Sequence, residues 1–280
     1  MSEFGKLFHF EVHRFRFVLF GLMAFTAIVQ FGVLLWTVLN ELAYRRSAAW
    51  RSGEAPSSWM FPGDAIAFAD VISYTQRWFF IPILISIAVL LIYTFLIWYR
   101  DWFGRQTIVY RLLMLPVDRK AIYLAKWAAI LTFVFSLVAF QAALLWLERW
   151  TFDRIVPQEL WAPTHFADAI RANEAMQLLL PRNVDAFLFS YGLGALGVAV
   201  AFTAVLLERS YRPAGIAYAI VYAAGCFAAV VLPPAALGLG DPDSMLYPEE
   251  IWAATLAIWL LIGVGAVALG FRLLNKKVSV

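Results

Sequence analysis

Six stretches of this sequence carry no Lys, Arg, Asp or Glu: residues 17–40, 78–99, 127–147, 186–207, 213–240 and 251–271. The shortest has 21 residues, and a helix needs about 20 apolar residues to cross the hydrocarbon core of a bilayer. Each run is therefore long enough to span once. Only 15% of the chain is charged and 63% is hydrophobic, against about 25% charged in a soluble domain. The runs are apolar all round and lack the two-residue alternation of a membrane strand. The fold class they define is an all-α integral membrane protein with six transmembrane helices. The first run is read as a true span, because it is too long for a signal-peptide core and no small-residue cleavage site precedes Glu41. Cys226 is the single cysteine, so no internal disulfide forms.

The net charge of +3 conceals a strong asymmetry. Segments 1–16, 100–126, 208–212 and 272–280 fall on one side of the membrane and hold 14 basic against 5 acidic residues, or +9. Segments 41–77, 148–185 and 241–250 fall on the other and hold 8 against 14, or −6. Short basic loops stay cytoplasmic. The expectation is a multi-pass protein of the cell membrane with both termini cytoplasmic and two long loops, 41–77 and 148–185, outside. The basic balance then reflects topology, and nothing resembles a nucleic-acid-binding module.

Residues 1–16 place Phe4, Leu7, Phe8, Val12 and Phe15 at helical spacing among basic residues, which predicts an amphipathic elbow helix in the membrane interface. His9 and His13 are four apart, but two imidazoles without a third ligand make a poor metal site. Residues 64–76 and 165–180 read as short helices within the outer loops. Trp50, Trp59, Trp150 and Trp161 suit the outer interface. Pro233-Pro234 predicts a break in the fifth helix, leaving 235–240 as a non-helical or re-entrant segment. Gly192-Leu193-Gly194-Ala195-Leu196-Gly197 matches a dinucleotide fingerprint literally, yet it lies mid-span without a βαβ context. Small residues there, and from Gly263 to Gly270, suggest close helix packing instead.

No ionisable group lies within the six runs, which argues against proton relays and buried chemistry. The polar side chains Tyr93, Thr94, Ser136, Gln141, Ser190 and Thr203 either line a cavity or hydrogen-bond between helices. Motifs for nucleophilic hydrolysis, zinc proteolysis and nucleotide binding are missing. No catalytic, cofactor-binding or metal-binding residue is assigned, and the chain is not expected to be an enzyme.

The most informative segment is 101–126, DWFGRQTIVYRLLMLPVDRKAIYLAK. Apolar residues interleave with Arg105 and Arg111, Pro116 ends that stretch, and Asp118 is placed to cap a following helix. A helix, a proline break and a second helix make a rigid knob that a cytoplasmic partner can push.

The acidic-aromatic pair at 101–102, Gly104, Tyr110, Leu115-Pro116, Arg119, Ile122 and Lys126 resemble the segment after the second span in permease subunits of ABC-2 type ABC transporters. Elbow helix, six spans and inward termini match that family's topology. The long outer loops depart from it, since its larger outer segment usually lies between spans five and six. The resemblance implies an exporter in which two permease chains, as homodimer or heterodimer, surround a pathway. ATP and Mg would be bound by a separate ABC ATPase subunit, and this chain would itself hold no cofactor. It further implies coupling contacts at Asp101, Arg105, Tyr110, Arg111, Pro116 and Arg119. The competing expectation is a stand-alone membrane sensor or scaffold that binds a ligand or partner through its outer loops. An intramembrane enzyme is a third, and it lacks polar groups at depth.

Overall fold

A computed structural model describes residues 3–52, 65–103, 118–211, 213–236 and 247–276. Among these, six helices are long and apolar enough to cross a membrane. They are α1 (Glu3–Ser52), α3 (Gln76–Phe103), α4 (Arg119–Ile155), α8 (Leu193–Ser210, entered through α7, Val184–Phe187, and a π-helical turn, Leu188–Gly192), α9 (Pro213–Ala236) and α10 (Pro248–Lys276). The uncharged runs located these helices well and their ends poorly, because charged residues extend most of them beyond the run.

The largest difference is at the amino terminus. Residues 3–16 do not form a separate elbow; they continue into the first span as one helix of 50 residues, about 75 Å long at 1.5 Å per residue. No proline interrupts it, and nothing near residue 16 favours a turn. Glu11, Phe15, Leu19, Leu22, Thr26, Gln30, Leu34, Val38, Glu41 and Arg45 are its buried stripe, at steps of three and four.

The fifth helix also differs from expectation. It runs through Pro233 and Pro234 and ends at Ala236. Proline removes a donor without always breaking a helix, provided the orphaned carbonyl finds another. Here Trp259 Nε1 lies 3.5 Å from the Val230 carbonyl, whose helical donor would have been residue 234. The expected re-entrant residues 237–240 lie outside the described residues.

The chain divides into two compact units. One comprises residues 15–89 and 133–187. In it the described parts of loops 41–77 and 148–185 fold together, each contributing short helices as expected. Strand β1 (Ile66–Ala67) pairs in parallel with β2 (Trp161–Ala162), and the Ile66 N–H donates to the Leu160 carbonyl at 2.6 Å. Three short helices, α2 (Phe68–Tyr74), α5 (Phe166–Arg171) and α6 (Glu174–Leu179), pack beside the pair, α2 against β1 and α5, and α5 against α6. The predicted helix over 165–180 is thus two helices, and Asn173 caps the second by accepting from the Met176 N–H at 3.2 Å. Ile66, Phe68, Val71, Ile72, Phe152 and Met176 form the core of this lobe. Trp150 and Trp161 are exposed on it, and Trp161 Nε1 donates to Asp153 at 3.0 Å. Trp59 lies outside the described residues.

Glu148 is an anomaly of this unit. It is 0% exposed, and neither carboxylate oxygen meets a hydrogen-bond partner among the described residues. A buried polar group without partners costs about 1–3 kcal/mol. Glu148→Leu, next to Leu145 and Phe152 on the same helix face, is therefore expected to raise the thermal midpoint of the detergent-solubilised protein. An unchanged or lower midpoint would show that Glu148 has a partner or a charge to balance.

The second unit comprises residues 1–14, 90–132 and 188–280. Gly215 lets the first turn of α9 sit against the Glu208 backbone, where a Cβ would collide with the carbonyl. Gly270 does the same for α10: a Cβ there would stand 2.8 Å from the Tyr123 ring and 3.1 Å from Thr203 Oγ1. By contrast, added Cβ atoms at Gly192, Gly194, Gly197, Gly263 and Gly265 would meet nothing within 4 Å. The expected close packing is thus found at Gly270 and not at the fingerprint-like run.

Candidate functional site

Asp101, Lys126, Glu11 and Arg14 meet where three long helices end their uncharged runs. Lys126 Nζ lies 2.5 Å from Glu11 Oε1 and 2.5 Å from Asp101 Oδ2, and donates to the Ile97 carbonyl at 3.1 Å. Arg14 Nη1 donates to Asp101 Oδ1 at 2.9 Å. Arg100 Nη2 reaches Glu11 Oε2 at 3.3 Å and the Tyr93 hydroxyl at 3.2 Å. The two carboxylates and the ammonium are nearly inaccessible, with side chains 4%, 1% and 2% exposed for Glu11, Asp101 and Lys126. Charges can be buried this deeply only when they are paired and hydrogen-bonded, and here each of the three has more than one partner. The Lys126 ammonium also lies 5.4 Å from the centre of the Trp98 ring.

Sequence spacing places these residues at one end of their helices but does not couple them. Glu11 and Lys126 are 115 positions apart. A signal was nevertheless present: Glu11 occupies the same apolar stripe as Phe15 and Leu19, and an acid on a buried stripe requires a cation.

Beside the cluster is an aromatic joint. Tyr123 is fully buried and its ring meets Trp98, Phe202 and Phe271 at centroid distances of 6.3, 5.6 and 5.5 Å. Its hydroxyl donates to the Ala199 carbonyl at 3.1 Å, and Trp127 Nε1 donates to Ala195 one turn earlier at 3.1 Å. α4 is therefore pinned to α8 at two successive turns. Across the same joint, Thr203 Oγ1 donates to the Ala266 carbonyl of α10 at 2.9 Å.

The residues expected to couple to a partner fall into two groups. Asp101 and Arg119 bracket segment 104–117, while Arg105, Tyr110, Arg111 and Pro116 lie outside the described residues. Asp101 is 1% exposed and bonded to Arg14 and Lys126, so its carboxylate holds the helices together from within. Arg119 Nη1 donates to the Leu274 carbonyl at 2.8 Å, meeting both an orphan carbonyl and the negative dipole end of α10. Asp118 Oδ1 accepts from the Lys120 N–H at 3.1 Å, the cap its position suggests.

The six polar residues of the spans are not gathered at one cavity. Thr94 donates to the Leu90 carbonyl at 2.8 Å within its own helix. Gln141 donates to Gln30 Oε1 at 2.7 Å, and Tyr93 and Thr203 are engaged as described above. Ser136 and Ser190 are half-buried. None of the six lines the apolar groove of about 630 Å³ between α4, the π-turn, α8 and α10. Among the described residues, no three His, Cys, Asp or Glu side chains are grouped as a metal site; His9 and His13 have ring centroids 6.1 Å apart.

No protein-family model matches this chain, and no curated protein or solved structure is significantly similar to it.

Proposed function

We propose that the chain is the permease subunit of an ABC transporter of the exporter kind, driven by ATP that a separate ATPase subunit hydrolyses. Both termini and segment 104–117 would face the cytoplasm of a cell-membrane protein, and two permease chains would enclose the pathway. The observation that carries this reading is the anchoring of the helix residues that flank 104–117 on both sides. On one side Asp101 is held by Arg14 and Lys126; on the other Arg119 holds the Leu274 carbonyl. A push on the segment therefore bears on α1, α3, α4 and α10 together, as a coupling element requires. The resemblance of residues 101–126 to the family pattern agrees with this. In this reading Asp101 and Arg119 transmit the push, and Arg105, Tyr110, Arg111 and Pro116 receive it.

The reading has a direct test. Purified alone, the chain is expected to show no ATPase activity, and in mild detergent an ATPase with a phosphate-binding P-loop is expected to co-purify with it. Arg105→Glu with Arg111→Glu should reduce that association severalfold and leave membrane insertion intact. Recovery of the chain as a sole component, with no ATPase bound, would overturn the proposal.

A second reading, a sensor or scaffold, is favoured by one observation: loops 41–77 and 148–185 share a hydrophobic core, as a binding lobe would. It predicts that excising that lobe abolishes function while leaving any ATPase association untouched.

A further inference from the structure

We propose that the groove between α4, α8 and α10 is a site for one anionic phospholipid, which lays an acyl chain along the groove and brings its phosphate to Lys120 and Arg272. The inference does not depend on the transporter reading. Leu188, Leu196, Leu260, Val264 and Phe271 are among the lining residues, and no charged side chain is among them. The indole N–H of Trp127 is committed to Ala195, so that ring offers the groove only carbon. A polar solute has nothing to bind here.

The groove's width comes from its small residues. Gly192 and Gly263 line it, and a Cβ at either would meet nothing within 4 Å. They therefore leave open space, whereas Gly270 of α10 makes close contact. Along α10 the lining runs from Leu256 to Phe271, about 22 Å of helix, more than the roughly 15 Å depth of one leaflet. That length accommodates a full acyl chain.

Charge identifies the head group. At the Phe271 end the Lys120 ammonium stands 6.0 Å from the centre of the Phe271 ring. Lys120 and Arg272, the residue that follows Phe271 on α10, are both exposed, and Arg119, next to Lys120 in the chain, holds the Leu274 carbonyl. Asp118 is the neighbouring acid, and its carboxylate accepts from the Lys120 backbone. Three cations against one carboxylate at the end of an apolar groove match an apolar tail joined to a phosphate, and such basic sites at helix ends recognise anionic lipid.

The experiment uses the full chain in detergent. Native mass spectrometry measures retention of phosphatidylglycerol, of phosphatidylcholine with the same acyl chains, and of glycerol 3-phosphate. Phosphatidylglycerol should be retained about tenfold more strongly than phosphatidylcholine, and glycerol 3-phosphate should not compete. Lys120→Gln with Arg272→Gln, at two exposed positions, should abolish that preference. Gly263→Leu, at an open position, should reduce retention of both lipids. Equal retention of the two lipids by the unmodified chain would leave only annular lipid and overturn the proposal. So would competition by glycerol 3-phosphate, which would place the site at the head group alone. Conversion of a dimer to a monomer by Gly263→Leu, with lipid retention unchanged, would assign the groove to a second copy of this chain.

Discussion

Lys126→Met is expected to destabilise the protein by about 3–5 kcal/mol, the cost of removing one member of a buried ion pair. Methionine matches the length of the lysine stem, so most of the loss is electrostatic. Glu11 Oε1 and Asp101 Oδ2 each lose a donor at 2.5 Å. Their remaining partners are weaker: Arg100 is 3.3 Å from Glu11 and 32% exposed, and Arg14 is 18% exposed. Two buried carboxylates then share a site served by two half-hydrated guanidinium groups. Chemical unfolding in mixed micelles measures the loss. Asp101→Asn alone and the double substitution complete a cycle, in which the coupling between the two positions should reach about 1–3 kcal/mol. A Lys126→Met protein within about 1 kcal/mol of the parent would mean that water enters the cluster freely.

Tyr123→Ala should have the next largest effect, about 3 kcal/mol in the same assay. Large-to-small changes in a packed core lose contacts and leave a cavity, and near a membrane the packing loss dominates because lipid is as apolar as the protein. Tyr123 meets three aromatic rings, and Gly270, which faces the same ring, has no side chain to fill its place. Tyr123→Phe removes the bond to the Ala199 carbonyl, which already belongs to a helix, and the 3.5 Å contact with Thr203 Oγ1, so about 1 kcal/mol is expected. Similar losses for the two substitutions would place the stabilisation in the hydroxyl and not in the ring.

The six spans were legible because charge avoids hydrocarbon and a run of 21 or more uncharged residues is hard to hide. Helix ends were not, since the rule that finds spans is silent about helices that continue into charged sequence, as α1 and α4 do. Proline chemistry alone misplaced the end of α9, because the group that replaces the lost donor, Trp259, stands on another helix. The two-residue strands are too short to carry a periodic pattern. Asp101 was singled out from its local pattern, but its burial was not foreseeable, since its partners Arg14 and Lys126 stand on other helices, 87 and 25 positions away.

The pairing of Ile66 with Trp161 also orders the life of the chain before it works. The two strands are 95 residues apart, and the spans α3 and α4 come between them. The pair cannot close until those two helices and the second strand have been made. Until then Ile66, Val71 and Ile72, all fully buried at the end, are exposed on a loop without its other half. Long-range pairing of this kind is slow and prone to interception. Chains arrested before residue 162 should therefore carry a degradation signal outside the bilayer, and completion of the lobe gives quality control a means to distinguish a half-inserted chain from a finished one.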